Sequence, residues 1–178
     1  MKILDVLSKK NTTVYVDMDG VLADFFSEYA KMAGIESGNY RHIPLAKKDP
    51  TLDKMVGTDF FARLPKFPTA DRLIDIVVAK FGTYSICSSP LRNDHENSAK
   101  WKRAWIQKHL DPQPKEMIFT ANKSQYAVQK DGTPNILIDD RGLNITAWIA
   151  AGGIGIKYQA DEDSLDTVIH ALKSIDIK

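Results

Sequence analysis

The sequence predicts an α/β fold with a doubly wound parallel sheet. The alternation of elements along the chain supports this prediction. Short runs of apolar and β-branched residues alternate along the chain with longer stretches in which apolar residues recur at helical spacing. Alternation of this kind is typical of parallel sheets, in which each strand is joined to the next through a helix. With 178 residues, the chain is long enough for one hydrophobic core and a small insertion.

Five strands and four helices account for most of this pattern. The strands are predicted at residues 13–17, 83–88, 117–120, 135–139 and 153–158. Each is a short run flanked by polar or turn-forming residues. The helices are predicted at residues 70–80, 97–109, 144–151 and 164–175. In the first helix Leu73, Ile74 and Val77 form an apolar stripe, and Trp101, Trp105 and Ile106 form another in the second.

The segment between the first strand and the first of these helices does not fit the alternation. Helical patterns are predicted at residues 22–33 and 51–56, and a glycine-containing break and four prolines interrupt the segment. We therefore expect a core formed by residues 1–20 and 66–178, with a helical cap inserted at residues 21–65. A cap would exclude water from an active site at the end of the first strand. The alternative is a long first crossover.

Composition narrows the classes of function. The net charge of +1 provides no overall attraction to nucleic acid or to an anionic membrane, so no stable nucleic-acid binding is expected. No apolar run reaches the length of a membrane span, and the first residues lack the pattern of a signal peptide. The single cysteine, Cys87, is expected to be buried and excludes an intrachain disulfide, which indicates a reducing compartment. The chain is predicted to be cytoplasmic.

Three small groups of basic residues are interpreted as solvated surface. They are Lys9 with Lys10, Lys47 with Lys48, and Lys100 with Lys102 and Arg103.

The first predicted strand ends in Asp17-Met18-Asp19-Gly20. Its position places two carboxylates at the carboxyl edge of the sheet, where open α/β sheets bind ligands. Two aspartates this close repel each other unless a cation or a shared proton intervenes. A divalent ion that prefers oxygen ligands, typically Mg²⁺ where phosphates are handled, is the simplest solution.

Polar residues also follow the other strands. Ser88 and Ser89 end the second strand, Lys123 follows the third, and Asp139-Asp140-Arg141 ends the fourth. Because the ends of parallel strands meet at one edge of the sheet, these side chains are expected to converge. A nucleophilic carboxylate, a metal ion, hydroxyls and an ammonium group are what phosphoryl transfer from an ester requires.

These residues resemble a known superfamily. Residues 17–21, the strand that ends at Ser88, Lys123 and the Asp139-Asp140 pair match, in order, the four motifs of the haloacid dehalogenase (HAD) superfamily of Mg²⁺-dependent phosphatases. Segments 17–25, 60–68, 86–90 and 138–141 are more similar to one branch, the 5'(3')-deoxyribonucleotidases. The resemblance extends from about residue 14 to residue 158.

The resemblance implies a role for each motif. Asp17 would be the nucleophile that forms an aspartyl-phosphate, and Asp19 would protonate the leaving oxygen and then activate water. Mg²⁺ would bind to Asp17, to the backbone carbonyl of Asp19 and to one of the final pair. Side chains alternate at a strand end, so one of the pair is expected to ligate directly. The family's motif favours Asp140, with Asp139 either behind the metal ligands or oriented toward Lys123.

The remaining expectations concern the substrate. Ser88, Ser89 and Lys123 would bind phosphate oxygens, and Arg141 would contact the substrate or pair with a carboxylate. Phe25 and Phe61 would line an aromatic slot for a nucleobase, whereas Phe26 and Phe60 are expected in the core. Tyr40 is a further candidate for base contact.

The implied activity is hydrolysis of a small-molecule nucleotide, a (deoxy)ribonucleoside monophosphate, by a Mg²⁺-dependent phosphomonoesterase. One alternative is a phosphatase for another metabolite or for nucleic-acid 3'-phosphate ends. A second alternative is a non-catalytic phosphate- or nucleotide-binding module, against which the intact Asp19 argues. The sequence leaves open whether the chain forms a homodimer.

Overall fold

The predicted class is confirmed by a computed structural model, which describes residues 12–36 and 42–175. Five strands form one parallel sheet in the order β3-β2-β1-β4-β5. The strands are β1 Val14–Val16, β2 Ser85–Ser88, β3 Met117–Phe119, β4 Ile136–Asp139 and β5 Ile154–Lys157. Each observed strand lies within its predicted range.

Six α-helices connect or flank these strands in the described ranges. They are α1 Phe25–Met32, α2 Leu45–Asp53, α3 Ala70–Phe81, α4 His95–His109, α5 Gly142–Ala150 and α6 Asp166–Ser174. The last four match the predicted helices to within two residues at each end. Among these helices, none is long and apolar enough to cross a membrane.

The helices predicted between residues 22 and 56 are partly wrong. The helix predicted at 22–33 begins only at Phe25, because the preceding residues form a tight turn closed by backbone hydrogen bonds to Met18. The helix predicted at 51–56 is instead α2, which starts at Leu45 and continues through Pro50. Pro50 removes one backbone donor, and the exposed carbonyl of Ala46 that it leaves can bind water. Tyr40 and the Lys9–Lys10 pair lie outside the described residues.

The order of the strands creates a topological switch point at β1. The chain passes from β1 outward to β2 and β3, then returns to pair β4 with the other side of β1. The register sets Val16 beside Ile138, so Asp17 lies level with Asp139. Ligands of open α/β sheets bind in the crevice at such a switch point, outside the carboxyl ends of the strands.

The two faces of the sheet bury different cores. On one face, alternate residues such as Val14 and Val16 belong to a large apolar cluster that includes residues of α3, α4 and α6. On the other face, Tyr15, Cys87 and Leu137 pack with α5, chiefly with Trp148. Cys87 is fully buried, as predicted. Both faces of the sheet that carries the strand ends are therefore covered.

The two ends of the helical segment after β1 lie side by side where it joins the core. The backbone N–H of Asp24 donates to the carbonyl of Pro65 at 2.8 Å, and the N–H of Phe67 donates to the carbonyl of Leu22 at 2.9 Å. Helices α1 and α2 and a 3₁₀ turn at Phe60–Arg63 lie between these points. The segment therefore departs from the core at the turn that carries the two aspartates.

Candidate active site

Strand β1 delivers Asp17 and Asp19 into a tight turn. Asp17 directly follows the strand, and its backbone N–H donates to the carbonyl of Ile138 at 2.9 Å. The carbonyl of Met18 then accepts the backbone N–H of Leu22 at 2.9 Å. The turn places Gly20 beside Asp140, the residue that directly follows β4.

Gly20 allows this turn to form. Its φ of 80° lies in the left-handed region that favours glycine. A Cβ at this position would lie 2.7 Å from the ring of Phe26 and 2.9 Å from the carboxyl carbon of Asp140. The turn therefore needs both the conformational freedom and the small size of glycine.

Three carboxylates converge where β1 and β4 end. Asp17, Asp139 and Asp140 each contribute one oxygen, and these oxygens lie within 4.8 Å of one another. The ammonium of Lys123 lies 2.9 Å from Asp17 Oδ1 and 2.6 Å from Asp139 Oδ2. Burial lowers the pKa of Lys123, but the two carboxylates raise it by more, so the pKa lies above its usual value. Lys123 therefore stays charged inside the site.

The neighbouring aspartates at the end of β4 have different partners. Asp139 accepts the backbone N–H of Arg141 at 2.8 Å and Nδ2 of Asn144 at 3.1 and 3.2 Å, in addition to the ammonium of Lys123. In the part of the chain that the structure describes, no group donates a hydrogen bond to the Asp140 carboxylate, which lines the cavity described below. Asp140 is thus the member of the pair with oxygens available to a ligand.

The environment of Asp140 fits a divalent cation. Burial, first, and the negative charges of Asp17 and Asp139 together raise the pKa of its carboxyl to about 9. A cation between Asp17 and Asp140 would offset this cost, and Mg²⁺ favours carboxylate oxygens at such sites. These two carboxylates provide oxygen donors of the kind that such an ion prefers.

Lys102 belongs to the site, and its assignment to solvated surface is wrong. The side chain is 0% exposed. Its Nζ donates to Asp19 Oδ2 at 2.6 Å, to Ser88 Oγ at 2.9 Å and to the carbonyl of Ser89 at 2.7 Å. All three ammonium donors are therefore used. Nζ also lies 4.6 Å from the centre of the Phe61 ring.

The sequence contains a signal that could have identified this lysine. Lys102, Trp105 and Ile106 are spaced at i, i+3 and i+4, so all three lie on the buried face of α4. A lysine within an apolar stripe needs an anionic partner in the interior.

Asp19 is held by that lysine and remains partly unsatisfied. Its Oδ2 receives the Lys102 bond, whereas its Oδ1 is buried without a hydrogen-bond partner among the described residues. Burial raises the pKa of the carboxyl, the charge of Lys102 opposes the shift, and Asp17 adds to it, so the pKa lies above its usual value. Such a carboxyl is suited to carry a proton for transfer.

A cavity of about 520 Å³ joins these groups to an aromatic wall. Asp17, Asp19, Lys123 and Asp140 line its polar end. The aromatic wall is formed by Phe25, Phe26, Tyr29 and Phe61.

Within the wall, the rings of Phe25 and Phe61 are nearly parallel, with an interplanar angle of 8° and centres 6.2 Å apart. Phe26 and Phe60 are buried, as expected for core residues, although Phe26 also reaches the cavity. Most of the predicted site residues are therefore brought together.

Further polar residues line the cavity. Ser89 and Arg141 line it as well, and Arg141 is exposed. Ser88 is fully buried behind Ser89 and contacts Lys102. Some lining residues were not predicted, because their neighbours along the chain carry no motif: Tyr29, Leu52, Arg92, Asn144 and Gln159.

Comparison with solved structures identifies the fold. A HAD-superfamily hydrolase from Ehrlichia chaffeensis superimposes with a TM-score of 0.53 at 16% identity, covering 94% of this chain and 98% of that one. A phosphonoacetaldehyde hydrolase-like protein from Oleispira antarctica superimposes with a TM-score of 0.50 at 13% identity, covering 98% of this chain and 88% of that one. The L-2-haloacid dehalogenase of Xanthobacter autotrophicus, with chloropropionic acid covalently bound, superimposes with a TM-score of 0.50 at 13% identity. The match covers 94% of this chain and 84% of that one.

The chain therefore has the α/β fold seen in HAD-superfamily hydrolases. Identities this low show the fold alone. No protein-family model matches the sequence, and no curated protein does. None of the three solved structures is described as a deoxyribonucleotidase.

Proposed function

We propose that this protein is a Mg²⁺-dependent phosphomonoesterase that hydrolyses deoxyribonucleoside monophosphates. One observation carries the proposal: a single cavity joins a cluster of carboxylates and the Lys123 ammonium to an aromatic wall. The polar end suits a phosphate, and the wall suits a nucleobase.

In the first step Asp17 would attack phosphorus and form an aspartyl-phosphate while the P–O ester bond breaks. Asp19, whose raised pKa favours a bound proton, would donate it to the leaving oxygen. In the second step Asp19 would accept a proton from the water that attacks the intermediate. Phosphate would then leave, with Asp17 regenerated as a carboxylate.

The positive groups of the site would hold the phosphate. Lys123 and the hydroxyl of Ser89, which line the cavity, would bind its oxygens, and the fully buried Ser88 would hold the Lys102 ammonium beside them. Asp17, Asp140 and the carbonyl of Asp19 would hold Mg²⁺, with Asp139 oriented by Lys123 behind them. When bound, Mg²⁺ supplies a Lewis acid that neutralises charge on the phosphate oxygens.

In this proposal residues 21–65 act as a cap that selects the substrate. A ring inserted between two others needs about 7 Å between their planes, twice a contact distance of ~3.5 Å. The centres of Phe25 and Phe61 are only 6.2 Å apart. A base would therefore stack on the cavity side of this wall instead of between the two rings, with Arg141 near its polar edge.

The test is a phosphate-release screen of purified protein with Mg²⁺ or with EDTA. The panel contains nucleoside 5'- and 3'-monophosphates, sugar phosphates and 3'-phosphorylated DNA. We expect Mg²⁺-dependent release from dUMP or dTMP in preference to the other substrates. A preference for sugar phosphates or for DNA ends would instead assign the site to a different phosphate ester.

Variants test the mechanism. Asp17→Asn removes the nucleophile and Asp19→Asn removes the proton donor, so each should lower kcat by about 10³-fold or more. Asp75→Asn, an exposed position on α3, is the matched control and should retain full activity. Normal turnover by Asp17→Asn would contradict the mechanism.

A further inference from the structure

The loop after β2 contacts helix α2 through one arginine. Arg92 Nη1 lies 3.2 Å from Asp49 Oδ1, and Nη2 lies 3.2 Å from Asp53 Oδ1. Nη2 also donates to the carbonyl of Asp49 at 3.3 Å. Because Asp49 and Asp53 are one helical turn apart, both carboxylates face the same guanidinium.

Helix α2 has little apolar burial to hold it in place. Of its nine residues only Thr51 is buried, and Pro50 interrupts its hydrogen bonding. The hydroxyl of Tyr29 in α1 also donates to the carbonyl of Lys48 at 3.0 Å. Polar contacts to α1 and to Arg92 therefore contribute much of what holds the helix in place.

The position of α2 determines the shape of the cavity. Leu52, which lies between the two aspartates in sequence, lines the cavity, and so do Tyr29 and Arg92 themselves. A shift of α2 away from Arg92 would withdraw Leu52 from the lining of the cavity. The contacts at Arg92 thus bear on the part of the site where selectivity for the substrate arises.

We propose that Arg92 is a positioning residue that clasps α2 onto the core and thereby sets the width of the substrate pocket. The side chains of Arg92, Asp49 and Asp53 are 44%, 71% and 60% exposed. Ion pairs this exposed are individually weak and screened by salt. A clasp of this strength can hold the pocket closed around a substrate and still open for exchange.

A different role for Arg92 makes the opposite prediction. If the guanidinium bound an anionic group of the substrate directly, Asp49 and Asp53 would compete with that group. Removing their charges would then free Arg92 and lower KM. If Arg92 acts through α2, removing the same charges loosens the helix and raises KM.

The first measurement is amide hydrogen–deuterium exchange of the full chain, which does not depend on any activity. Arg92→Ala and the double variant Asp49→Asn/Asp53→Asn should both accelerate exchange in residues 45–53. Arg92→Lys should accelerate it less, because one cation remains. Arg72→Ala, at an exposed position on α3, is the control and should leave exchange in α2 unchanged. Unchanged exchange in Arg92→Ala would overturn the clasp.

The second measurement is steady-state hydrolysis of the best nucleotide substrate, and this arm rests on the proposed function. Arg92→Ala and the double aspartate variant should each raise KM about three- to ten-fold and leave kcat within about two-fold. A lower KM in the double variant would overturn the positioning role in favour of direct contact. Failure of the wild type to hydrolyse any phosphate ester would refute the proposed function. The exchange measurement would still show whether Arg92 holds α2 on the core.

Discussion

Gly20 links the backbone conformation of the turn after β1 to the geometry of the acidic cluster. The left-handed φ turns the chain sharply after Asp19, and the missing side chain lets the backbone approach Asp140 and the ring of Phe26. A larger residue would separate the carboxylates of β1 from those of β4. The glycine is therefore as necessary to the acidic cluster as the aspartates are.

Substitution at this position can be measured against a matched glycine. Gly20→Ala should lower the free energy of unfolding by about 2–4 kcal/mol, because both the positive φ and the contact with Phe26 are unfavourable for a Cβ. Gly57 has a φ of 73°, and an added Cβ would meet no atom within 4 Å, so Gly57→Ala should cost only about 1 kcal/mol. Urea denaturation followed by circular dichroism provides both values. Equal losses in the two variants would refute the steric argument.

At the scale of an element, helix α4 carries two lysines with opposite surroundings. Lys100 is exposed and lies 4.7 Å from the centre of the Trp101 ring, whereas Lys102 is buried against Asp19 and Ser88. Two residues along a helix rotate a side chain by about 200°, which places the pair on opposite faces. Helix α4, which joins β2 to β3, thus brings the Lys102 ammonium to the carboxyl edge of the sheet.

The two lysines allow a direct test of this arrangement. Among the described residues, Lys102 alone donates a hydrogen bond to the Asp19 carboxylate, so kcat should fall by about 10²-fold or more in Lys102→Met. Lys100→Met should stay within about two-fold of the wild type, because that side chain faces solvent. Phosphate release measures both variants, and circular dichroism verifies that each is folded. Wild-type kcat in Lys102→Met would mean that Asp19 does not need this partner.

At the scale of the whole molecule, the parallel sheet assembles the site from distant parts of the chain. Asp17 follows β1, whereas Asp139 and Asp140 end or follow β4, and the register of these two strands sets them side by side. Crowding of three carboxyl groups around the single Lys123 ammonium destabilises the folded state when no metal is bound. A metal that binds only the folded chain would offset that repulsion.

Thermal unfolding tests this consequence. Mg²⁺ at about 100 times its Kd should stabilise the fold by about 2.7 kcal/mol, which corresponds to a rise in Tm of roughly 5–10 °C for a chain of this size. Asp140→Asn should lose most of the shift, and the surface control Asp75→Asn should keep it. An equal shift in wild type and Asp140→Asn would exclude Asp140 from the metal site.

Local sequence was sufficient to predict the class of fold, the five strands and the placement of Asp17, Ser88, Lys123 and Asp139-Asp140 at strand ends. These features were predictable because hydrophobic periodicity is local and because parallel strands end at one edge. The partners of each side chain became known only from the packing of the folded chain. Lys102 meets Asp19 across 83 positions, and Arg92 meets α2 across about 40. The spacing of Lys102 indicates a buried lysine but not which carboxylate it meets, and the Arg92 contact leaves no local pattern, since both pairings depend on how separate elements pack.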